Sequence, residues 1–300
     1  MFTNILRYRN GLHLWWSLAL VAACVGIFAT QTGGEPANGG TWQGYLLGTI
    51  GALLIVWLTL LGVRKRRYQS SMGSVQGWTS AHVYLGAATL VIASLHSAMQ
   101  FGWNVHTFAY VITCLVIFSG FYGLHVYINH PRSMADNRLG GSRETLFTEL
   151  YGLDQLAMQL TRRCEPAIRA AIESSIERTA IGGGVAAQLF GLDRSLILVS
   201  ETAGSVRGAN GAGKPIPNID QQVAIDIVAD RIPKADKAEE VVALQELLSV
   251  LCRRQTIVRR LSKDIQLSGW VQVWLYVHVP LTIALICALT VHIITTFIYW

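Results

Sequence analysis

Long stretches without a charged side chain constrain the fold of this chain more than any other feature of its sequence. Five apolar blocks stand out, and the last four contain no Asp, Glu, Lys or Arg; the blocks cover residues 13–30, 43–63, 80–101, 107–128 and 270–298. A membrane-spanning helix needs about 20 consecutive apolar residues. Only 14% of all residues are charged, against about 25% in soluble domains, so the sequence predicts an integral membrane protein.

The first block is the shortest of the five and has two interpretations. It follows Arg7 and Arg9, which is the pattern of a signal peptide, and VAAC at 21–24 loosely resembles a lipoprotein cleavage site. The apolar run continues past Cys24 through VGIFAT. That continuation favours a retained membrane helix.

The distribution of Lys and Arg predicts the orientation, because these residues collect in short cytoplasmic loops. Arg7 and Arg9 precede the first block, and RKRR at 64–67 follows the second. The loops 31–42 and 102–106 contain neither Lys nor Arg. We therefore expect a cytoplasmic N-terminus and a periplasmic C-terminus, in a bacterial inner membrane.

A polar segment, residues 131–269, separates the fourth and fifth blocks, and the predicted orientation places it in the cytoplasm. It holds 18 of the 24 Lys and Arg and 17 of the 18 Asp and Glu. These charges nearly cancel, so nucleic-acid binding is not expected. Most of its acidic residues fall at helical spacing, which predicts a solvated helix face.

The predicted fold class is all-α: a helical membrane bundle of five spans with a mostly helical cytoplasmic insertion between spans 4 and 5. We divide the chain into spans 1–4 (residues 1–130), the insertion (131–269) and span 5 (270–300). Within the insertion, periodicity predicts helices over 144–180, with a break at Pro166, and over 236–268. A Gly- and Pro-rich loop is predicted over 201–218.

Two of the apolar blocks carry histidines at the same spacing. His82 and His96 lie in the third block, His278 and His292 lie in the fifth, and each pair is fourteen positions apart. Fourteen residues end about 40° short of four helical turns, so the members of a pair share one helix face about 21 Å apart. The predicted orientation places His82 and His278 at one depth and His96 and His292 at the other. Imidazoles without a partner are costly in hydrocarbon, so each depth is a candidate binding site.

Two axial imidazoles on opposite faces of a porphyrin make a six-coordinate b-type haem. This arrangement resembles the membrane di-haem b cytochromes, both the ferric-reductase-like family and the respiratory cytochrome b of quinol–cytochrome c oxidoreductases. The resemblance covers the second to fifth blocks and depends on histidine spacing and helix order. It implies two haem b groups, one on His82 and His278 and one on His96 and His292. The chain has no P-E-W-Y segment, and its insertion belongs to neither family's pattern.

Several other residues are candidates for the surroundings of these cofactors. Gly120 and Gly123 would let a porphyrin edge approach the fourth span, and small-residue helix packing explains them equally well. His125 is a candidate for bonding a haem propionate, for lining a quinone site or for holding a third haem with His13; the alternative is a histidine facing headgroups. His106 is predicted to be solvated.

Two further patterns argue against other functions. GANGAGKP at 208–215 begins like a phosphate-binding loop, but Pro215 stands where that motif needs Ser or Thr. The five cysteines form no C-x-x-C, so a zinc ribbon, a ferredoxin-type cluster and covalent haem are not expected.

These observations predict a membrane di-haem cytochrome b subunit that transfers electrons across the membrane within a larger redox complex, with quinone as a candidate donor or acceptor. The expected partners are the other subunits, a cytoplasmic partner docking on 131–269, an external c-type cytochrome and membrane lipid. The alternative is a transporter or structural membrane subunit whose histidines relay protons or bind a metal. A third interpretation is a quinol or metal-ion reductase in its own right, although no catalytic residue is assigned.

Overall fold

The structure is a computed structural model that describes residues 5–31, 39–67, 73–138, 140–199 and 214–298. The protein is about 84% helical, and strands are confined to two short segments of the described residues. The helices are α1 Leu12–Ala29, α2 Trp42–Arg66, α3 Val75–Ser97, α4 Val105–Arg138, α5 Arg143–Leu160, α6 Pro166–Glu177, α7 Val185–Phe190, α8 Gln222–Arg231 and α9 Ala238–Ile298, and the strands are β1 Leu196–Val199 and β2 Lys214–Pro217.

Five of these helices are long and apolar enough to cross a membrane: α1 with the turn before it, α2, α3, α4 and α9. The prediction of a helical protein with five candidate spans is confirmed at this level. Large apolar side chains on these helices are exposed, with 66% of Leu53, 61% of Ile283 and 80% of Phe297 accessible. Such surfaces suit contact with lipid rather than water.

The chain forms two compact units. The first comprises Met1–Ile128 and Gln272–Trp300, and the second comprises Asn129–Val271. Both α4 and α9 run from one unit into the other. The predicted helix over 236–268 and the last span are one continuous helix, which passes through Pro280.

Two apolar clusters hold the first unit together. Cys24, Leu47 and Ile92 join α1, α2 and α3. Residues from α2, α4 and α9 form the other cluster, namely Ile55, Ala109, Ile112, Leu285 and Ala288. The helices with the four spaced histidines, α3 and α9, therefore each pack on α2.

The second unit has a single large apolar core built by α5, α6, α8, β1 and the first half of α9. The α5 helix starts at a capping box, in which the Ser142 hydroxyl accepts from the Thr145 N–H and the Thr145 hydroxyl accepts from the Ser142 N–H. The predicted break at Pro166 is present, because α6 begins at this proline, whose missing N–H costs nothing in the first turn of a helix.

The prediction of a loop over 201–218 is wrong for the last residues of this range. Residues 214–217 form β2, which pairs antiparallel with β1 so that Leu196 faces Pro217 and Val199 faces Lys214. The preceding stretch of apolar residues, LILV, is too short for periodicity to separate a strand from a helix. Residues 201–213, including most of GANGAGKP, lie outside the described residues.

Not every acidic side chain of the second unit lies on a solvated face as predicted. Asp264 of α9 is completely buried. It accepts two hydrogen bonds from Arg138 and one from Arg143, at 2.6 to 2.9 Å. These bonds tie the end of α4 and the start of α5 to α9. Burial alone would raise the pKa of Asp264, but the two guanidinium groups hold that pKa below its ordinary value.

This cluster makes the stability of the second unit depend on pH. Because the folded-state pKa of Asp264 is depressed, its contribution is fully present above the ordinary value of 3.8 and is lost as the pH falls through the folded-state value. We expect the thermal midpoint of the full chain in detergent micelles to fall more steeply below pH 4 in the natural protein than in Asp264→Asn. Parallel pH profiles for the two proteins would contradict this assignment.

Candidate functional site

The first histidine layer consists of His82 on α3 and His278 on α9. His82 is anchored through Nδ1, which lies 3.0 Å from the Leu58 carbonyl oxygen of α2. His278 is anchored through Nδ1, which lies 2.7 Å from the Ser119 hydroxyl oxygen of α4. Both rings are partly buried, and they lie within electrostatic range of each other. The structure thus brings together the two histidines that the sequence analysis assigned to one depth.

Ser119 of α4, which holds His278, takes part in two further hydrogen bonds. Its hydroxyl oxygen also lies 2.7 Å from the Val116 carbonyl oxygen, to which it can donate while it accepts from Nδ1–H of His278. The Trp274 indole N–H donates to the Ser119 carbonyl at 2.9 Å, and the indole lies 5.5 Å from the His278 ring. Sequence reasoning missed both partners because neither residue type is unusual in a membrane helix.

The second histidine layer consists of His96 on α3 and His292 on α9. His96 Nδ1 lies 2.8 Å from the Gly44 carbonyl oxygen of α2. The His96 and His292 ring centroids are 5.9 Å apart, and the ring planes are nearly perpendicular. The structure therefore also brings together the second predicted pair.

His106 is a member of the second layer that the sequence analysis placed in solvent. Its Nδ1 lies 2.7 Å from Nδ1 of His292, so one ring donates and the other accepts. His106 is exposed, as predicted, but it is not merely solvated. The only sequence signal was its position in the first turn of α4, at the end of the bundle where His96 and His292 were expected.

The anchoring bonds determine which ring nitrogen is available to a ligand. A carbonyl oxygen only accepts hydrogen bonds, so His82 and His96 carry their hydrogen on Nδ1 and, when neutral, present the Nε2 lone pair. The bond between the Ser119 hydroxyl and Nδ1 of His278 is compatible with the same tautomer. Metal-binding histidines use this arrangement, in which the second nitrogen is held by a neighbouring acceptor.

Glycine is required beside the second layer. A Cβ on Gly48 would lie 2.7 Å from Cε1 of His96 and 2.9 Å from its Nδ1. Any side chain at position 48 would therefore displace the imidazole from the Gly44 carbonyl.

The glycines of α4 pack against α9. Gly120 lies beside His278, whose Cε1 would be 3.6 Å from a Cβ at position 120. The space beside Gly123 is taken by the Trp274 indole. Here the small residues let α9 side chains approach α4, and the role predicted for them beside a porphyrin edge stays a prediction.

An apolar layer separates the two histidine layers. Leu285 is seven residues from both His278 and His292, about 10 Å along the helix, and it is 4% exposed. It belongs to the buried cluster with Ile55 and Ile112. The buried hydroxyls at this level, Thr89 of α3 and Thr113 of α4, bond carbonyl oxygens of their own helices.

The two remaining histidine candidates lie elsewhere on the helices. His125 is exposed on α4. The His13 ring stacks on Tyr8 with centroids 5.4 Å apart. The predicted third haem on His13 and His125 stays a prediction, as does a quinone site at His125.

The donor set fits a bis-imidazole cofactor. With metal–imidazole bonds of about 2 Å, two rings on opposite sides of one metal have centroids about 6 Å apart, close to the 5.9 Å between His96 and His292. Among the described residues there is no group of three or more His, Cys, Asp or Glu placed to hold a metal ion.

No family model, curated protein or solved structure matches this chain. Its function is therefore inferred from its own residues.

Proposed function

We propose that the chain is a membrane di-haem b cytochrome that carries single electrons between the two sides of the membrane. The observation that carries the proposal is the pair of histidine layers, each with one imidazole from α3 and one from α9. In this proposal His82 and His278 hold one haem, and His96 and His292 hold the other. When bound, the haems supply one-electron redox chemistry.

The residues around each layer have defined roles in this proposal. The Leu58 and Gly44 carbonyls fix the rings of His82 and His96 by accepting from Nδ1–H, which leaves Nε2 for the iron, and the Ser119 hydroxyl holds His278 through its Nδ1. Gly48 keeps space for the His96 ring. The apolar cluster around Leu285 lies at a level between the two layers.

The setting of this cytochrome is part of the proposal. We place it in a bacterial inner membrane with a cytoplasmic N-terminus and a periplasmic C-terminus, as the positions of Lys and Arg predict. It acts as an electron-transfer subunit of a larger complex and exchanges electrons with quinone or an external c-type cytochrome. The insertion, residues 131–269, docks the cytoplasmic partner.

One observation favours the second candidate function, a transporter or structural subunit with proton-relay or metal-binding histidines. The contact between His106 and His292, next to His96, is a chain of imidazoles that can pass a proton. An absorption spectrum of the purified protein separates the candidates, because only the cytochrome has a haem Soret band.

We expect two b haems per chain, since each histidine layer provides one pair of axial ligands. The measurement is a pyridine haemochrome assay combined with protein quantitation by amino-acid analysis. A ratio near three would assign His13 and His125 to a third haem. A ratio near zero in protein expressed with sufficient haem would refute the cytochrome and leave the second candidate.

A further inference from the structure

A patch of exposed apolar residues lies beside the start of the last apolar block, in the second unit. Val185 and Phe190 of α7 and Leu192 just after it are 70%, 67% and 51% exposed. The stretch that contains them, residues 179–192, has no Asp, Glu, Lys or Arg. These residues lie within eight positions of the chain, and large apolar side chains that stay exposed mark a surface that contacts something apolar. We name Val185, Phe190 and Leu192 the α7 patch.

The α7 patch is fixed to α9 by polar bonds. The Leu189 carbonyl oxygen, at the end of α7, accepts from Gln266 Nε2 at 3.0 Å and from Trp270 Nε1 at 3.1 Å. Carbonyl oxygens in the last turn of a helix have no N–H donor within that helix. Here two side chains of α9 act as donors to the Leu189 carbonyl oxygen. The approach is close, because a Cβ on Gly269 would lie 3.4 Å from Leu189 Cδ2.

The residue that holds α7 is also where the membrane segment begins. Trp270 is the first residue of the charge-free block 270–298. Tryptophan is enriched where a membrane helix meets the headgroups. The Phe190 ring packs edge to face on the Trp270 ring, with centroids 6.4 Å apart. The patch therefore lies at the level of α9 where hydrocarbon contact starts.

Exposed basic residues lie near the α7 patch in the chain and on α9, with one exposed carboxylate, Glu177, beside Arg178. Arg178 and Arg194 flank the charge-free stretch at its two ends, and Lys263 lies on α9 about two turns before Trp270. The neighbouring carboxylate, Asp193, is used within the fold, where it accepts from the Ser195 and Asp220 N–H groups. An apolar patch bordered by cations is complementary to phospholipid, which presents acyl chains beneath phosphate groups.

We propose that α7 is a membrane-surface anchor, whose α7 patch inserts between lipid headgroups beside the entry of α9 into the bilayer. Through the Leu189 carbonyl it would fix the second unit against the membrane. This inference is independent of any cofactor and needs only the membrane location of the block 270–298.

The test uses the full-length protein with the photo-crosslinking residue benzoylphenylalanine at one position. Phe190 and Val185 are the test positions. Val242 is the matched control, because it is 53% exposed and apolar but lies on α9 twenty-eight residues before Trp270, about 42 Å along the helix. Each protein is placed in vesicles of phosphatidylcholine and phosphatidylglycerol and irradiated, and lipid adducts are measured by intact-protein mass spectrometry.

We expect lipid adducts at 190 and 185 to exceed those at 242 several-fold. Equal yields at all three positions would overturn the proposal. Crosslinks from 190 to a second copy of the chain would overturn it too, because they would identify the patch as a self-association surface. Far-UV circular dichroism of each variant checks folding, and the two test positions provide independent readings if one variant is misfolded.

Discussion

Replacing His96 and replacing His292 should remove the same haem, and replacing His82 and replacing His278 should remove the other. Each single His→Ala variant is expected to lose about half of the bound haem, because an iron with only one protein ligand is held weakly while the other layer keeps its full donor set. The apolar layer around Leu285 separates the two sites, so the loss of one haem should leave the other largely intact.

The measurement is a redox titration monitored by absorption for each of the four variants. His82→Ala and His278→Ala should give matching spectra and potentials, and so should His96→Ala and His292→Ala. The two classes should differ, because Ser119 and Trp274 border the first layer while Gly48 and His106 border the second.

Two neighbouring exposed residues provide matched controls. Val277 and Val291 each precede a predicted ligand on α9 and are about half exposed. Their replacement by Ala should leave both haems in place. If His82→Ala matched His292→Ala instead, the assignment of one haem to each layer would be wrong.

The sequence predicts the two histidine layers because the physical signal is strong. Charge-free blocks must be helices in a membrane, since their backbone groups find no other partners there. Two helices with histidines at the same spacing then place His82 near His278 and His96 near His292 if the helices run in the same direction through the bilayer. Periodicity and orientation suffice for this step, and no tertiary knowledge is needed.

The partners that orient the rings were not predictable in the same way. Leu58 and Gly44 contribute only a backbone carbonyl, which every residue has. Ser119 is one of several hydroxyl residues in the spans, and which of them faces α9 depends on helix rotation and crossing. His106 was misjudged because a histidine at a helix end resembles any interfacial polar residue until the neighbouring helix is in place.

The second unit departs from the sequence predictions for a related reason. The expectation of a solvated acidic face treats each charge separately, whereas Asp264 and Asp154 are bonded to arginines distant in the chain. The pairing of β1 with β2 also depends on contacts across a gap of fourteen residues. Local patterns carry no information about such partners, so helix positions were predicted better than the polar interior.

Arg254 is the largest fully buried side chain of the described residues, with 2% of it exposed. Its Nε donates to Asp154 of α5 at 2.6 Å, and its two terminal nitrogens donate to Gln221 and Thr179 at 2.7 and 2.9 Å. Among the described residues, Asp154 is the carboxylate paired with this charge. The guanidinium therefore joins α5, the segment just after α6 and the residue just before α8 to α9 at one buried point.

The largest stability effect is expected when that charge loses its partner. Asp154→Asn should destabilise the second unit by about 3 kcal/mol, because an unpaired buried cation retains its full desolvation cost. Glu149→Gln is the matched control. Glu149 pairs with Arg253 between the same two helices, but 67% of the Arg253 side chain is exposed, and such surface pairs contribute about 0–1 kcal/mol.

The measurement is urea-induced unfolding of the full chain in mild detergent. Pulse proteolysis is used to measure the unfolding of residues 129–271. The double variant Asp154→Asn, Arg254→Met removes both charges and should recover part of the loss, since an apolar side chain of similar length is less costly to bury than an unpaired cation. Recovery would remain incomplete, because Gln221 and Thr179 lose a donor. Equal effects of Asp154→Asn and Glu149→Gln would show that burial of Arg254 does not control the stability of this unit.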